Sequence, residues 1–258
     1  MVNNRLNSRW IVQINPSETT SIRLLCFAYA GGGVSAYARW MSELPSNVEL
    51  CIVHLPGRES RLNEPSVPLE VVVSSVVNEF VNLRSMPTIF FAHSMGNVIA
   101  LEVARALRRL GKVNLLHYVA SGLRAPQSLE HRLTKKLYAL SDAEFVQEIQ
   151  YRYGGIPKAI LDDPDYLSLF VPALRADIGL LESYKFQNDL PLSCDLTIFS
   201  GTQDATASQA DMLDWRTQAT GRFQSKVFSG GHFFIHSERA LVLVELGNIL
   251  RAAAGIKH

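Results

Sequence analysis

The sequence predicts an α/β domain with a mostly parallel central sheet and helices on both of its faces. Three observations lead there. Short apolar runs rich in β-branched and aromatic residues recur at 22–29 (IRLLCFAY), 48–55 (VELCIVHL), 87–93 (PTIFFAH), 115–121 (LLHYVAS), 195–200 (DLTIFS) and 223–228 (FQSKVF), and they read as strands. Segments with helical period lie between most of them, near 35–44, 69–84, 96–110 and 207–219, with a last one at 237–254 where Val242, Leu246, Ile249 and Leu250 share a face. Such alternation builds a parallel sheet covered on both sides. The third observation is a break: about 70 residues without a strand pattern separate Ser121 from Asp195, far more than a crossover needs.

That interval reads as a helical insertion, placed at 126–188, within a single domain spanning 1–258. Ser141-Asp-Ala-Glu144 is a capping-box pattern opening a helix that carries Phe145 and Ile149. DDPDY at 162–166 opens another, carrying Leu169, Phe170 and Leu174. The link Tyr153-Gly-Gly-Ile-Pro157 reads as flexible, which makes the insertion a candidate lid over a site at the C-terminal edge of the sheet.

Composition narrows the function. Of 258 residues, 47% are hydrophobic and 19% charged, which suits one sizeable core. Lys plus Arg total 25 against 24 Asp plus Glu, so no net field gathers nucleic acid or an anionic membrane. The N-terminal stretch MVNNRLNSRWIVQINPSE lacks the apolar core of a signal peptide, and no later run suits a bilayer span. Cys26, Cys51 and Cys194 are widely spaced, fall in strand-like runs and form no CxxC pair. They read as buried free thiols of a cytoplasmic protein. With no long apolar surface stripe, a monomer is expected.

The stretch FFAHSMGNVIALEVARAL, 90–107, carries the chemistry. A strand that turns directly into a helix has a tight, strained apex. Ser94 occupies it, between the small residues Ala92 and Gly96. The bend lifts the hydroxyl out of the sheet and aims the Met95 amide at a developing oxyanion. An ordinary helix-capping serine is the alternative, and the remaining residues decide between them.

A serine hydroxyl is a poor nucleophile until a histidine takes its proton and a carboxylate orients that histidine. After such an elbow the chain order is acid, then histidine. Asp204 in GTQDA and His232 in SGGHFF each follow a strand and reach its C-terminal edge. Asp211 and Asp214 sit on a helical stretch, and Asp195 opens its strand at the wrong end. His236 enters the last helical region, while His54, His93 and His117 fall in or beside strands. The loop FAYAGGGVSAYARW, 27–40, supplies a second oxyanion donor, the Ala30 amide with Gly31 as fallback. It lacks the G-K-[ST] and G-x-G-x-x-G spacings of phosphate loops.

With AHSMG, FAYAGGG, LPGRE at 55–59, GTQD and GGHFF present in the chain, the sequence resembles, over nearly its whole length, the type II thioesterases that accompany non-ribosomal peptide and polyketide synthases. The resemblance implies an α/β-hydrolase fold with a helical lid. It also implies Ser94 as nucleophile, His232 as base, Asp204 as its orienter, and Met95 and Ala30 as oxyanion donors. The implied work is hydrolysis of misprimed or stalled acyl groups from the phosphopantetheine arm of acyl or peptidyl carrier domains, with no metal or other cofactor. Ala92 stands where the family usually has glycine.

Arg58, Glu59 and Arg61 of the PGRE-type segment are expected to form a structural ion pair. Arg105, Arg108 and Arg109 could meet an acidic carrier helix, but such a run on a helix reads more simply as a solvated face. Three other readings keep the fold: an esterase or lipase acting on small oxygen esters, an acyltransferase using the same acyl-enzyme, and a binding protein without catalysis.

Overall fold

The computed structural model describes residues 10–129 and 136–255. The first nine residues of the N-terminal stretch, 130–135 of the insertion and the last three residues of the domain lie outside the described residues. Seven strands form one sheet: β1 (Ile11–Gln13), β2 (Ile22–Phe27), β3 (Val48–Val53), β4 (Thr88–His93), β5 (Leu115–Ser121), β6 (Asp195–Gly201) and β7 (Phe223–Phe228). Their spatial order is β1-β3-β2-β4-β5-β6-β7. All neighbours are parallel except β1, which pairs antiparallel with β3, Ile11 opposite Val53.

Alternate residues of each central strand feed different cores, as the two-residue period of a strand requires. Leu25, Phe27, Phe90, Ala92, Tyr118 and Ala120 pack on one face, against α1 (Leu69–Phe80) and α2 (Gly96–Arg109). Leu24, Cys26, Ile89, Phe91 and Val119 pack on the other, against Tyr37, Trp40 and the last helix. This two-sided burial explains why the strands read as continuous apolar runs.

The insertion contains α3 (Asp142–Arg152), α4 (Lys158–Leu161) and α5 (Pro164–Ser183). Ser141 and Glu144 make the reciprocal capping box, and Asp163 caps α5 ahead of Pro164. Phe145, Ile149, Ile156, Val171, Leu174 and Ile178 form a small core of their own. After β6 follow α6 (Gln209–Met212) and, after β7, α7 (Phe234–Ser237) and α8 (Arg239–Ala253).

Three elements differ from the sequence expectation. Strand β1 is only three residues long, too short to show a period. The segment near 35–44 is two 3₁₀ turns, Val34–Ala36 and Ala38–Ser42; the three-residue repeat places Tyr37 and Trp40 on one side, rings 4.7 Å apart and fully buried. The segment 207–219 likewise splits into α6 and a 3₁₀ stretch, Leu213–Gln218.

The chain runs from β2 to β3 on one side and then crosses to β4 on the other. The loops leaving β2 and β4 therefore diverge at the C-terminal edge, opening the crevice where ligands bind in sheets of this kind.

Candidate active site

Ser94 follows β4 without a spacer and has φ of 52°, a left-handed conformation that costs energy for a residue with a side chain. Surrounding bonds hold it there. The Ser94 amide donates to Ser121 O at 2.8 Å, and Ser94 O accepts the Asn97 amide at 3.0 Å. The buried Asn97 side chain adds bonds to Ala92 O, Ser94 O and Ser121 O, and Tyr118 donates its hydroxyl to Asn97 O. Asn97 gives no signal in the sequence because an asparagine in the first turn of a helix looks ordinary.

Gly96 is required by space: a Cβ there would lie 2.4 Å from Phe27 O. Ala92 is fully buried and paired with Phe27 and Ala120 in the neighbouring strands, so this sheet accommodates its methyl group.

Asp204, three residues past β6, and His232, four past β7, arrive at the same edge. His232 Nε2 lies 2.8 Å from Ser94 Oγ, and His232 Nδ1 lies 2.8 Å from Asp204 Oδ2. An ionised carboxylate only accepts, so Nδ1 carries the proton and donates to Asp204, leaving Nε2 as acceptor for the serine hydroxyl. The other carboxylate oxygen accepts the Thr206 amide, the Thr206 hydroxyl and the Ala207 amide. Burial alone would raise the Asp204 pKa; the bonds from His232 and Thr206 outweigh it and bring the group down to about 2. Thr206 was not singled out in the sequence, because a threonine after the acid carries no distinguishing pattern.

The rival residues are engaged elsewhere. Asp211 closes a capping box with Ser208, Asp195 binds Arg222, and Asp214 lies in the first turn of the 3₁₀ stretch. His93 is wholly buried, with Nδ1 at 2.8 Å from Ser121 Oγ. His117 faces Thr197. His236 lines the cavity and lies 2.9 Å from the Tyr29 hydroxyl.

The two oxyanion candidates differ from the fallback in what their amides do. Gly31 donates to Asp177 Oδ2 at 2.8 Å, whereas the Met95 and Ala30 amides have no protein acceptor among the described residues. Asp177, on α5, also receives Arg58 through both oxygens, at 2.7 and 2.9 Å, and Arg58 binds Gly32 O. Glu59 accepts the Val34 and Ser35 amides. Arg61 bonds to His54 O and Glu64 and lies over the Trp10 ring. The ion pair expected of this segment thus exists, and it joins the glycine loop to the insertion.

A cavity of about 850 Å³ opens above Ser94 and His232, within the range of small-molecule sites. Tyr153, at the end of α3, places its ring 5.0 Å from that of His232. Among the described residues no cluster of three or more His, Cys, Asp or Glu is placed to hold a metal.

A model of the thioesterase domain family matches residues 22–249. The chain belongs to this family. The gramicidin S biosynthesis protein GrsT of Aneurinibacillus migulanus is 35% identical over 233 residues, covering 90% of each chain. Among solved structures, the RedJ thioesterase from the prodiginine pathway of Streptomyces coelicolor is similar with a TM-score of 0.82 and 35% identity, covering 89% of this chain and 90% of its own. ClbQ from the colibactin NRPS/PKS pathway gives 0.85 at 26% identity, covering 92% and 100%.

In this thioesterase the three free cysteines are buried, and burial raises their thiols, Cys194 to about 12, so they lack thiolate character. Of the arginines of RALRR, Arg109 is exposed as expected of a solvated face, whereas Arg105 is not. Arg105 is buried against Phe186, Gln187 O and Gln218, and Arg108 and Arg109 grip Asp189. Together they fasten the segment that returns from the insertion to β6. No described helix is long and apolar enough to cross a membrane.

Proposed function

We propose that this thioesterase releases acyl groups from the phosphopantetheine arm of acyl or peptidyl carrier domains, clearing misprimed or stalled units from a non-ribosomal peptide or polyketide synthase. The observation that carries the reading is the relay Ser94 Oγ, His232 Nε2, His232 Nδ1, Asp204 Oδ2, with both contacts at 2.8 Å, set at a strained elbow inside a large cavity. The relatives named for biosynthetic pathways support the carrier-bound substrate.

Ser94 Oγ attacks the thioester carbonyl as its proton passes to His232 Nε2. The carbonyl oxygen becomes an oxyanion facing the Met95 and Ala30 amides, and Asp204 stabilises the imidazolium. The C–S bond breaks, the thiol leaves with the proton, and an acyl-serine remains. Water, deprotonated by His232, attacks that ester; the bond from the acyl carbon to Ser94 Oγ breaks, Oγ takes the proton back from His232, and the carboxylic acid leaves. Nucleophile, base and donors all come from one chain, so the reading needs no cofactor and no second subunit, and it sets the enzyme to work in the cytoplasm. The helices of 126–188 serve as the lid that keeps bulk water from the acyl-enzyme.

The test is intact-protein mass spectrometry of an acyl-loaded carrier protein incubated with wild type or Ser94→Ala. Loss of the acyl mass with wild type alone is expected. Persistence of the acyl mass while a simple oxygen ester is cleaved would move the reading to a small-ester hydrolase.

A further inference from the structure

Two walls of the cavity begin at the catalytic centre and end in solvent. One starts at Ala30 and runs through Gly32 to Ser35 and Arg39; the other starts at His232 and runs through Phe233 to His236 and Arg239. Their inner ends are buried or half-buried, whereas Ser35, Arg39, His236 and Arg239 are exposed. Two contacts join the walls. The Tyr29 hydroxyl lies 2.9 Å from His236 Nε2. Farther out, Arg239 reaches Glu43, at the end of the 3₁₀ turn that carries Arg39, at 2.9 Å. Two arginines from separate elements therefore stand together at the mouth.

Their charge is available. Among the described residues, the cavity lining holds three arginines, Arg39, Arg58 and Arg239, and one carboxylate, Glu59. Arg58 is buried and spent on Asp177, while Glu59 accepts the Val34 and Ser35 amides. The Arg39 guanidinium has no hydrogen bond or ion pair with any described residue. Arg239 has Glu43, but 44% and 35% of the two side chains are exposed. Water screens such a pair, which contributes little, so Arg239 is free to turn to a stronger partner. A cleft edged by one sign of charge gathers the opposite sign.

A thioester delivered by a carrier domain brings an anion to this place. Its carbonyl must reach Ser94 at the inner end, and the arm, still tethered to the carrier, must leave by the open end. The arm carries one phosphodiester where it joins the carrier, and paired guanidinium N–H groups match phosphate oxygens. We infer that Arg39 and Arg239 form a subsite for the phosphate of the phosphopantetheine arm, which holds the arm at its outer end while the thioester lies at Ser94. The inference rests on the carrier reading and assigns residues to the arm rather than to the acyl group. Two exposed charge contacts correspond to a gain of about tenfold in kcat/KM.

The experiment places one acyl group on pantetheine, 4′-phosphopantetheine, coenzyme A and a carrier protein. Wild type is expected to prefer the 4′-phosphopantetheine thioester over the pantetheine one by about tenfold in kcat/KM, through KM, and the ratio to shrink as salt is added. In Arg39→Gln/Arg239→Gln the ratio is expected to fall toward one. In Arg39→Lys/Arg239→Lys, which keeps the charge, it is expected to stay well above that of the glutamine variant. A merely structural role would slow both thioesters and leave their ratio alone. The carrier thioester is expected to lose about the same factor as the 4′-phosphopantetheine one in the glutamine variant. A wild-type ratio near one, or a ratio unchanged by the glutamine substitutions, overturns the inference and leaves the thioesterase reading intact. So does a glutamine variant that slows the coenzyme A thioester but not the carrier thioester, because the anion bound would then be the coenzyme's. Failure of wild type to release the acyl group from the carrier overturns the carrier reading, and the inference with it.

Discussion

Asp177 and Arg58, 119 positions apart, form a buried bidentate ion pair at 2.7 and 2.9 Å. It ties α5 of the insertion to the loop after β3, and through the Gly31 amide and Gly32 O it also fixes the glycine loop. The pair therefore bears on the position of the glycine loop that carries the Ala30 amide.

Removing one partner strands the other charge. Asp177→Ala should cost about 3–5 kcal/mol of stability, read from urea unfolding at neutral pH. The double variant Arg58→Met/Asp177→Leu should recover most of that loss, because an apolar replacement of a buried pair is often near neutral. Its kcat should still fall, with KM little changed, since the glycine loop loses the bonds that Asp177 and Arg58 make to the Gly31 amide and Gly32 O. A double variant with wild-type kcat would show that the loop needs no such anchor.

The elbow yields an asymmetric pair of substitutions. Ala92→Gly should keep kcat within about twofold and lower stability by roughly 0.5–1 kcal/mol, the usual effect of glycine inside a strand. Gly96→Ala drives a methyl to within 2.4 Å of Phe27 O and displaces the start of α2, and kcat should fall by on the order of a hundredfold, as misplacement by about 1 Å does. Steady-state rates on a small acyl thioester decide both.

His93 makes the fold sensitive to acid. Burial, with His232 beside it at 5.1 Å between ring centroids, holds His93 well below the ordinary histidine value of 6.5. The unfolded chain takes up that proton where the folded chain refuses it. Stability due to this site is thus complete above pH 6.5 and is lost as pH falls below it, at up to about 1.4 kcal/mol per pH unit. His93→Gln should flatten the decline in unfolding free energy between pH 7 and pH 5.5. Equal slopes in the two proteins would show that His93 is protonated in the folded state.

What the sequence revealed follows the range of the interactions. The inner strands are legible because burial on both faces writes continuous apolar runs, β7 only through its Phe and Val residues since it is largely unburied, and Ser94, Asp204 and His232 because each stands at a strand's C-terminal end. Local repeats failed where the backbone tightens: a helical-looking 35–44 serves Tyr37 and Trp40 better as 3₁₀ turns. Partners set by topology were out of reach. Nothing near Arg58 points to Asp177, and Arg105 reads as a surface residue until Phe186 and Gln218 close over it.

The link at Tyr153–Pro157 shows the same limit and gives a test of the lid. Its two glycines suggested flexibility, yet each has a local reason. Gly154 has φ of 65° at the end of α3, with its nearest neighbour for a Cβ at 3.8 Å, while a Cβ on Gly155 would lie 1.9 Å from the Phe233 ring. Phe233 adjoins His232 and packs edge-on against Tyr29 at 4.8 Å. Gly154→Ala should therefore cost about 1 kcal/mol of stability through its left-handed backbone and leave kcat nearly unchanged. Gly155→Ala must shift either the link or the Phe233 ring, and both pack beside His232. Its kcat should drop on free and carrier-bound thioesters alike, because the disturbance reaches His232 rather than the entry path. A loss confined to carrier-bound substrates would instead assign the link to admission of the arm, which separate rate measurements on the two substrate forms resolve.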